Sequence, residues 1–147
     1  MDEHRIHHIL AHSYSVYFVL LLVGIALDVI LKLQLFEATL MPIGVIVLVL
    51  ATLLILWAQN TSRNLEKENL TKENFCRGPY CYTRSPTHWG LFLLILGFGI
   101  IANAFFVVVF NFVSFIITRL TLVKKQEEAL ALKYGSPYLE YKKMVKF

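Results

Sequence analysis

The sequence predicts an all-α, polytopic membrane protein with four transmembrane helices, the last two a hairpin, and a short cytoplasmic helical tail. Three observations carry this. Hydrophobic residues make up 57% of the 147-residue chain and charged residues only 16%, far from the soluble average. The apolar residues fall in blocks long enough to cross a bilayer, which takes about 20 residues. The Lys and Arg residues flank these blocks, so the net charge of +4 reflects membrane topology and not nucleic-acid binding. A chain of this length is one domain, 1–147.

The first dozen residues are polar and His-rich, and the apolar block after them has no small-residue cleavage site, so no secretory signal is expected. His4, His8 and His12 share one helical face. They read as an interfacial helix, or less naturally as a metal site, since no carboxylate cluster accompanies them. The first span covers residues 15–35. Asp28 interrupts it one turn before Lys32, which allows either an interfacial ion pair or a functional acid. Residues 32–39 make a short connection. Pro42 opens the second span, which ends near Trp57, an aromatic anchor at the interface.

Residues 59–88 form the one long polar connection, with Arg63, Lys67, Lys72, Arg77 and Arg84 and an expected surface helix over 65–73. Cys76 and Cys81 lie in it and are expected to be reduced thiols. A Zn site with His88 would lack the four ligands of a structural centre. Residues 91–123 are apolar. As one straight helix they would run about 45 Å or more, against a hydrocarbon core of about 30 Å. A hairpin of two short or tilted helices turning at Ala102-Asn103-Ala104 resolves the mismatch. Gly90, Gly97 and Ala104 recur every seven residues and give a small face for close packing. From Arg119 onward the tail is basic and amphipathic, with a break at Gly135-Ser136-Pro137 and a short last helix. Most Lys and Arg lie in the long loop and the tail, which puts both termini and that loop in the cytoplasm. The sequons at Asn60 and Asn69 are then unglycosylated.

The stretch Gly78-Pro79-Tyr80-Cys81-Tyr82-Thr83-Arg84-Ser85-Pro86-Thr87-His88-Trp89-Gly90 joins the apolar halves. Pro79 and Pro86 disfavour helix in the residues before them, and Pro86 fits the first turn of the next helix. An Arg, a His and two Tyr beside a helix N-terminus read as a polar ligand site at the bilayer edge.

This stretch resembles the integral membrane methyltransferases of the isoprenylcysteine carboxyl methyltransferase and phospholipid methyltransferase superfamily. The family pattern runs roughly Gly-Pro-Tyr-x-Tyr-x-Arg-His-Pro-x-Tyr-x-Gly, then a hydrophobic hairpin, a Glu-Glu doublet, and Phe-Gly-x-x-Tyr-x-x-Tyr. Here the end of the pattern falls on Tyr134-Gly135-Ser136-Pro137-Tyr138-Leu139-Glu140-Tyr141, and the resemblance covers residues 78–147. The family His falls on Ser85 and the family Tyr on His88. The doublet falls on Gln126-Glu127 without a gap, or on Glu127-Glu128 with one.

The resemblance implies S-adenosylmethionine as methyl donor, held between the loop and the tail. Cofactor-binding candidates are Tyr82, Arg84, His88, Gly90, Gln126, Glu127, Glu128 and Tyr138. His88 and Arg119 are the catalytic candidates, and no metal is implied. A carboxylate such as Glu127 suits the donor's amino group or a hydroxyl, Arg84 suits its carboxylate, and Gly90 would let it approach the backbone. His88 could serve as base for an amine or thiol acceptor. The implied partner is a lipophilic or lipidated acceptor arriving from the bilayer, with a carboxylate or thiol to be methylated. The membrane would be the plasma or inner membrane of a prokaryote or the endoplasmic reticulum of a eukaryote. Two alternatives stand beside this: a phospholipid or lipid-amine N-methyltransferase, and a non-catalytic membrane protein on the same scaffold. Taken alone, Arg84 could simply snorkel to headgroups, the tail tyrosines could form an interfacial belt, and Arg119 could mark the membrane boundary.

Overall fold

The computed structural model describes residues 2–34, 36–37, 40–65 and 76–145. Its helices are α1 (Asp2–Leu31), α2 (Met41–Leu65), α3 (Pro86–Ile101) and α4 (Phe105–Ile117). One π-helical turn, Thr118–Leu122, carries α4 on into α5 (Val123–Tyr134). Gly135, at φ 69, separates α5 from the last helix, α6 (Ser136–Met144). A 3-10 turn, Gly78–Cys81, precedes α3.

Among the described residues, three helices are long and apolar enough to cross a membrane: His7–Leu31, Met41–Asn64 and the continuous rod Phe105–Tyr134. The fourth apolar helix, Pro86–Ile101, has 16 residues, about 24 Å of rise. Large apolar side chains such as Phe18, Ile30, Leu53 and Ile116 point outward. Water would penalise so wide an apolar exterior and lipid does not.

The chain reverses at Ala102-Asn103, where the hairpin was expected. Asn103 adopts φ 51, a left-handed conformation that Asn tolerates better than most residues. Phe92 and Phe115 rings meet at 4.7 Å, and the Asn111 side chain donates to the Phe92 carbonyl at 2.9 Å. Both contacts require α3 and α4 to lie antiparallel.

Helix α3 packs on α2 through small residues spaced seven apart on both helices. A Cβ at Gly97 would stand 3.0 Å from the Gly44 carbonyl and from Leu48, and one at Gly90 would meet the Ile55 side chain. Ala51 and Ala58 are fully buried on the same face of α2. Gly24 of α1 approaches the Val107 backbone of α4 in the same way.

Several expected features differ. Helix α1 starts at Asp2, so the His-rich segment continues directly into the span. Helix α2 runs past Trp57 to Leu65. Thr61 donates back to the Trp57 carbonyl at 2.9 Å, and both side chains pack on Gly78 of the 3-10 turn. Asp28 turns to the backbone: its carboxylate accepts the Phe106 and Val107 N–H groups at 2.9 and 3.0 Å. It thus caps α4 from another helix, satisfying donors that a helix start leaves free. Cys76 and Cys81 are joined by a disulfide, not reduced as expected. Most of the surface helix expected over 65–73, with Lys67, Lys72 and the Asn69 sequon, lies outside the described residues.

Candidate functional site

Pro86 sets the start of α3, and Ser85 before it has an extended φ of −135. This places Arg84 just ahead of the helix and His88 in its first turn. Arg84 then reaches α5: its Nη1 stands 2.9 Å from Glu127 Oε1. Lys142 of α6 takes the other carboxylate oxygen at 3.1 Å. Glu127 therefore ties together the loop, α5 and α6. Arg84 and Glu127 side chains are only 17% and 12% exposed, so this pairing is far better shielded than a surface ion pair.

Tyrosines close the tail over this point. Tyr141 donates to the Tyr80 carbonyl at 2.6 Å. Tyr138, Tyr141 and Val145 form a buried cluster with Cys76, Tyr80, Leu130 and Tyr134 packed against it. Burial pushes the Tyr138 phenol above its ordinary range, and the Glu127 charge pushes the same way against Arg84. The Tyr141 phenol is raised by burial and by its neighbours Tyr138 and Tyr80.

His88 lies deeper, 4% exposed. Its ring stacks on Tyr14 of α1 with centroids 6.4 Å apart, and Gln126 stands within hydrogen-bonding reach. Its Nδ1 is buried without a partner among the described residues. Arg119 lies over the Trp89 ring at 5.9 Å, close enough for its charge to act on His88.

The fold thus gathers Arg84, His88, Gln126, Glu127, Tyr138 and Arg119 at one end of the bundle. It leaves out three of the other expected residues. Tyr82 is 78% exposed, because it ends the 3-10 turn pointing outward. Glu128 is exposed, one helical step of about 100° from Glu127. With Gln126 and Glu127 both turned inward, the ungapped doublet is the one that faces the cluster. Gly90 faces α2, where helix packing accounts for its missing side chain.

Sequence reasoning missed Tyr14 and Lys142. Tyr14 lies one residue ahead of the expected first span, and no motif marked it. Lys142 looked like one more basic residue of the tail. Among the described residues, no three His, Cys, Asp or Glu side chains gather where they could hold a metal.

Arg84 and Glu127 thus present a guanidinium and a carboxylate side by side, each satisfying the other. No protein-family model, curated protein or solved structure matches this chain.

Proposed function

We propose that this chain is a membrane-embedded methyltransferase using S-adenosylmethionine on a lipophilic acceptor. One observation supports it above the rest: at one end of an apolar bundle stand the shielded Arg84–Glu127 pair and the buried His88 imidazole, which bonds Gln126 next to Glu127 and whose Nδ1 has no partner among the described residues. In this reading α3 is the fourth span, tilted or set where the bilayer thins. The Lys and Arg residues put both termini and the 59–88 loop in the cytoplasm, against which the Cys76–Cys81 disulfide in that loop stands as the opposing observation.

When bound, S-adenosylmethionine supplies an electrophilic methyl group on a sulfonium. The chain's own residues do the rest. Arg84 would hold the donor's carboxylate and Glu127 its ammonium. Tyr138 and Tyr141 close α6 over the site and exclude water, so that positioning supplies much of the rate. His88 is placed to take a proton from an acceptor that carries one. Arg84, Arg119 and Lys142 outnumber Glu127 around this point, which disfavours a cationic lipid amine as the acceptor.

The test is methyl transfer in lipid. Purified protein in nanodiscs, given labelled methyl donor and a total membrane lipid extract, should label an extractable lipophilic product. Arg84→Ala should abolish the labelling. Equal labelling by wild type and Arg84→Ala would reject the assignment.

A further inference from the structure

Cys76 and Cys81 are the two cysteines of the chain, and they are bonded to each other at a spacing of 5 positions. The ring they close contains the 3-10 turn Gly78–Cys81. Gly78, at φ 54, seats that turn on Thr61 and Trp57 of α2. On its other side the turn carries α6. The Tyr80 carbonyl accepts the Tyr141 hydroxyl at 2.6 Å. Cys76 and Tyr80 both pack against the buried Tyr138, Tyr141 and Val145. One half of the disulfide is therefore part of the ledge on which α6 rests.

A disulfide stabilises a fold mainly by restricting the unfolded chain, and more so as the closed loop lengthens. A ring this short restricts little of a 147-residue chain, so general stapling does not account for it. What it restrains is the ledge. The turn has bonds of its own, from the Tyr80 N–H to the Arg77 carbonyl and from the Thr83 N–H to the Pro79 carbonyl, each 3.1 Å. Neither bond reaches Cys76, which the disulfide alone ties to Cys81. Both cysteines are half-buried, within reach of a small thiol. On the cytoplasmic side, where the Lys and Arg residues put this loop, disulfides are usually transient and catalytic or redox-sensing.

We propose that Cys76–Cys81 is a reversible redox latch for α6. Oxidised, it holds Cys76 and Tyr80 in place under Tyr138, Tyr141 and Val145. Reduced, it frees Cys76 from the ledge, and α6 loosens. Lys142 follows Tyr141 directly and stands 3.1 Å from Glu127 Oε2, so the latch reaches the Arg84–Glu127 pair through one residue. The reductant is a low-molecular-weight thiol of the glutathione class. Its thiolate attacks one cysteine sulfur, and the S–S bond breaks with its electron pair on the other sulfur, which takes a proton. A second thiolate resolves the mixed disulfide in the same way. Two protein thiols and one oxidised glutathione result, and oxidised glutathione drives the reverse. The latch does not depend on methyl transfer.

The test uses the full-length protein in nanodiscs, equilibrated with reduced and oxidised glutathione over a range of ratios. Free thiols are trapped with a maleimide, and hydrogen exchange of the backbone amides is followed by mass spectrometry. The thiol pair should form reversibly while α1 to α4 keep their protection. Exchange in α6 should rise with it about two- to tenfold, the loss of one neutral hydrogen bond. The double variant Cys76→Ser, Cys81→Ser should match the reduced protein and ignore the glutathione ratio. A disulfide that is reduced only as the whole bundle unfolds would overturn the latch. So would reduction that leaves α6 exchange unchanged, or a double variant as protected in α6 as the oxidised protein.

Discussion

Asp28 is the sharpest test of how the bundle is held together. Its two carboxylate oxygens accept N–H groups from Phe106 and Val107 at 2.9 and 3.0 Å, across 78 and 79 residues of sequence. A hydrogen bond to a charged group contributes about 1.5–3 kcal/mol, and loss of a helix cap costs about 0.5–2 kcal/mol. The two bonds share one carboxylate and are not additive, so Asp28→Ala should cost about 2–3 kcal/mol. Asp28→Asn keeps one acceptor oxygen and should cost about half as much. For a chain of this size the loss in Tm is on the order of 5–10 °C for Asp28→Ala. The assay is thermal unfolding in detergent of wild type, both variants and Lys32→Ala. Lys32 bonds Asp28 only through backbone, its N–H donating to the Asp28 carbonyl at 2.9 Å, so Lys32→Ala should unfold like wild type. A Lys32→Ala loss as large as that of Asp28→Ala would show that the carboxylate serves an ion pair, and the capping account would fall.

Four further outcomes follow from the geometry. Arg119 over Trp89 puts the ends of the α3–α4 hairpin together, so spin labels at Thr87 and Leu120 should lie within about 25 Å. A continuous helix would separate them by about 50 Å, and that distance would reject the hairpin. Gly97→Leu would drive a side chain into the Gly44 carbonyl and Leu48. It should cost at least 1–3 kcal/mol, read as a lower unfolding midpoint. The Tyr138 and Tyr141 phenols titrate above their ordinary value of 10.0 in the fold, so the unfolded chain releases their protons first. Their contribution to stability is complete below pH 10 and is lost as pH rises beyond it. Proteolysis of α6 should therefore accelerate above pH 10, and a rate flat to pH 12 would contradict the burial. In a background with Cys76 and Cys81 changed to Ser, an impermeant thiol reagent applied outside cells should label a Cys placed at Gln34 or Asn103, and not one placed at Lys143. Labelling at Lys143 alone would invert the topology.

The apolar blocks, the Pro86 helix start, the Asn103 turn and the Gly135 break were legible because each rests on local chemistry: side-chain transfer energy, a locked φ, or a left-handed residue. Glu127 occupied the doublet in both registers, and the fold sets it against Arg84 and Lys142. What escaped was set by tertiary placement. The register of the doublet depends on which side of α5 faces the loop, and no pattern around residues 126–128 states that. The Asp28 partner lies on a distant helix start, so the nearby Lys32 was the obvious candidate. The Cys76–Cys81 pairing follows from the 3-10 turn between them, a conformation that Gly78-Pro79 permits without announcing. The seven-residue spacing of Gly44, Ala51 and Ala58 was present in the sequence but gained meaning only opposite Gly90 and Gly97.

The central claim is that Arg84 and Glu127 hold the methyl donor. Calorimetric titration of S-adenosylmethionine into the purified protein tests it most directly, with Glu127→Gln and Glu128→Gln beside wild type. Both substitutions remove one negative charge, so general electrostatics cancel between them. Loss of a charge-assisted bond worth about 1.5–3 kcal/mol should weaken binding about ten- to a hundredfold in Glu127→Gln, with Glu128→Gln close to wild type. Equal affinity in all three proteins, or no binding by wild type, would contradict the account.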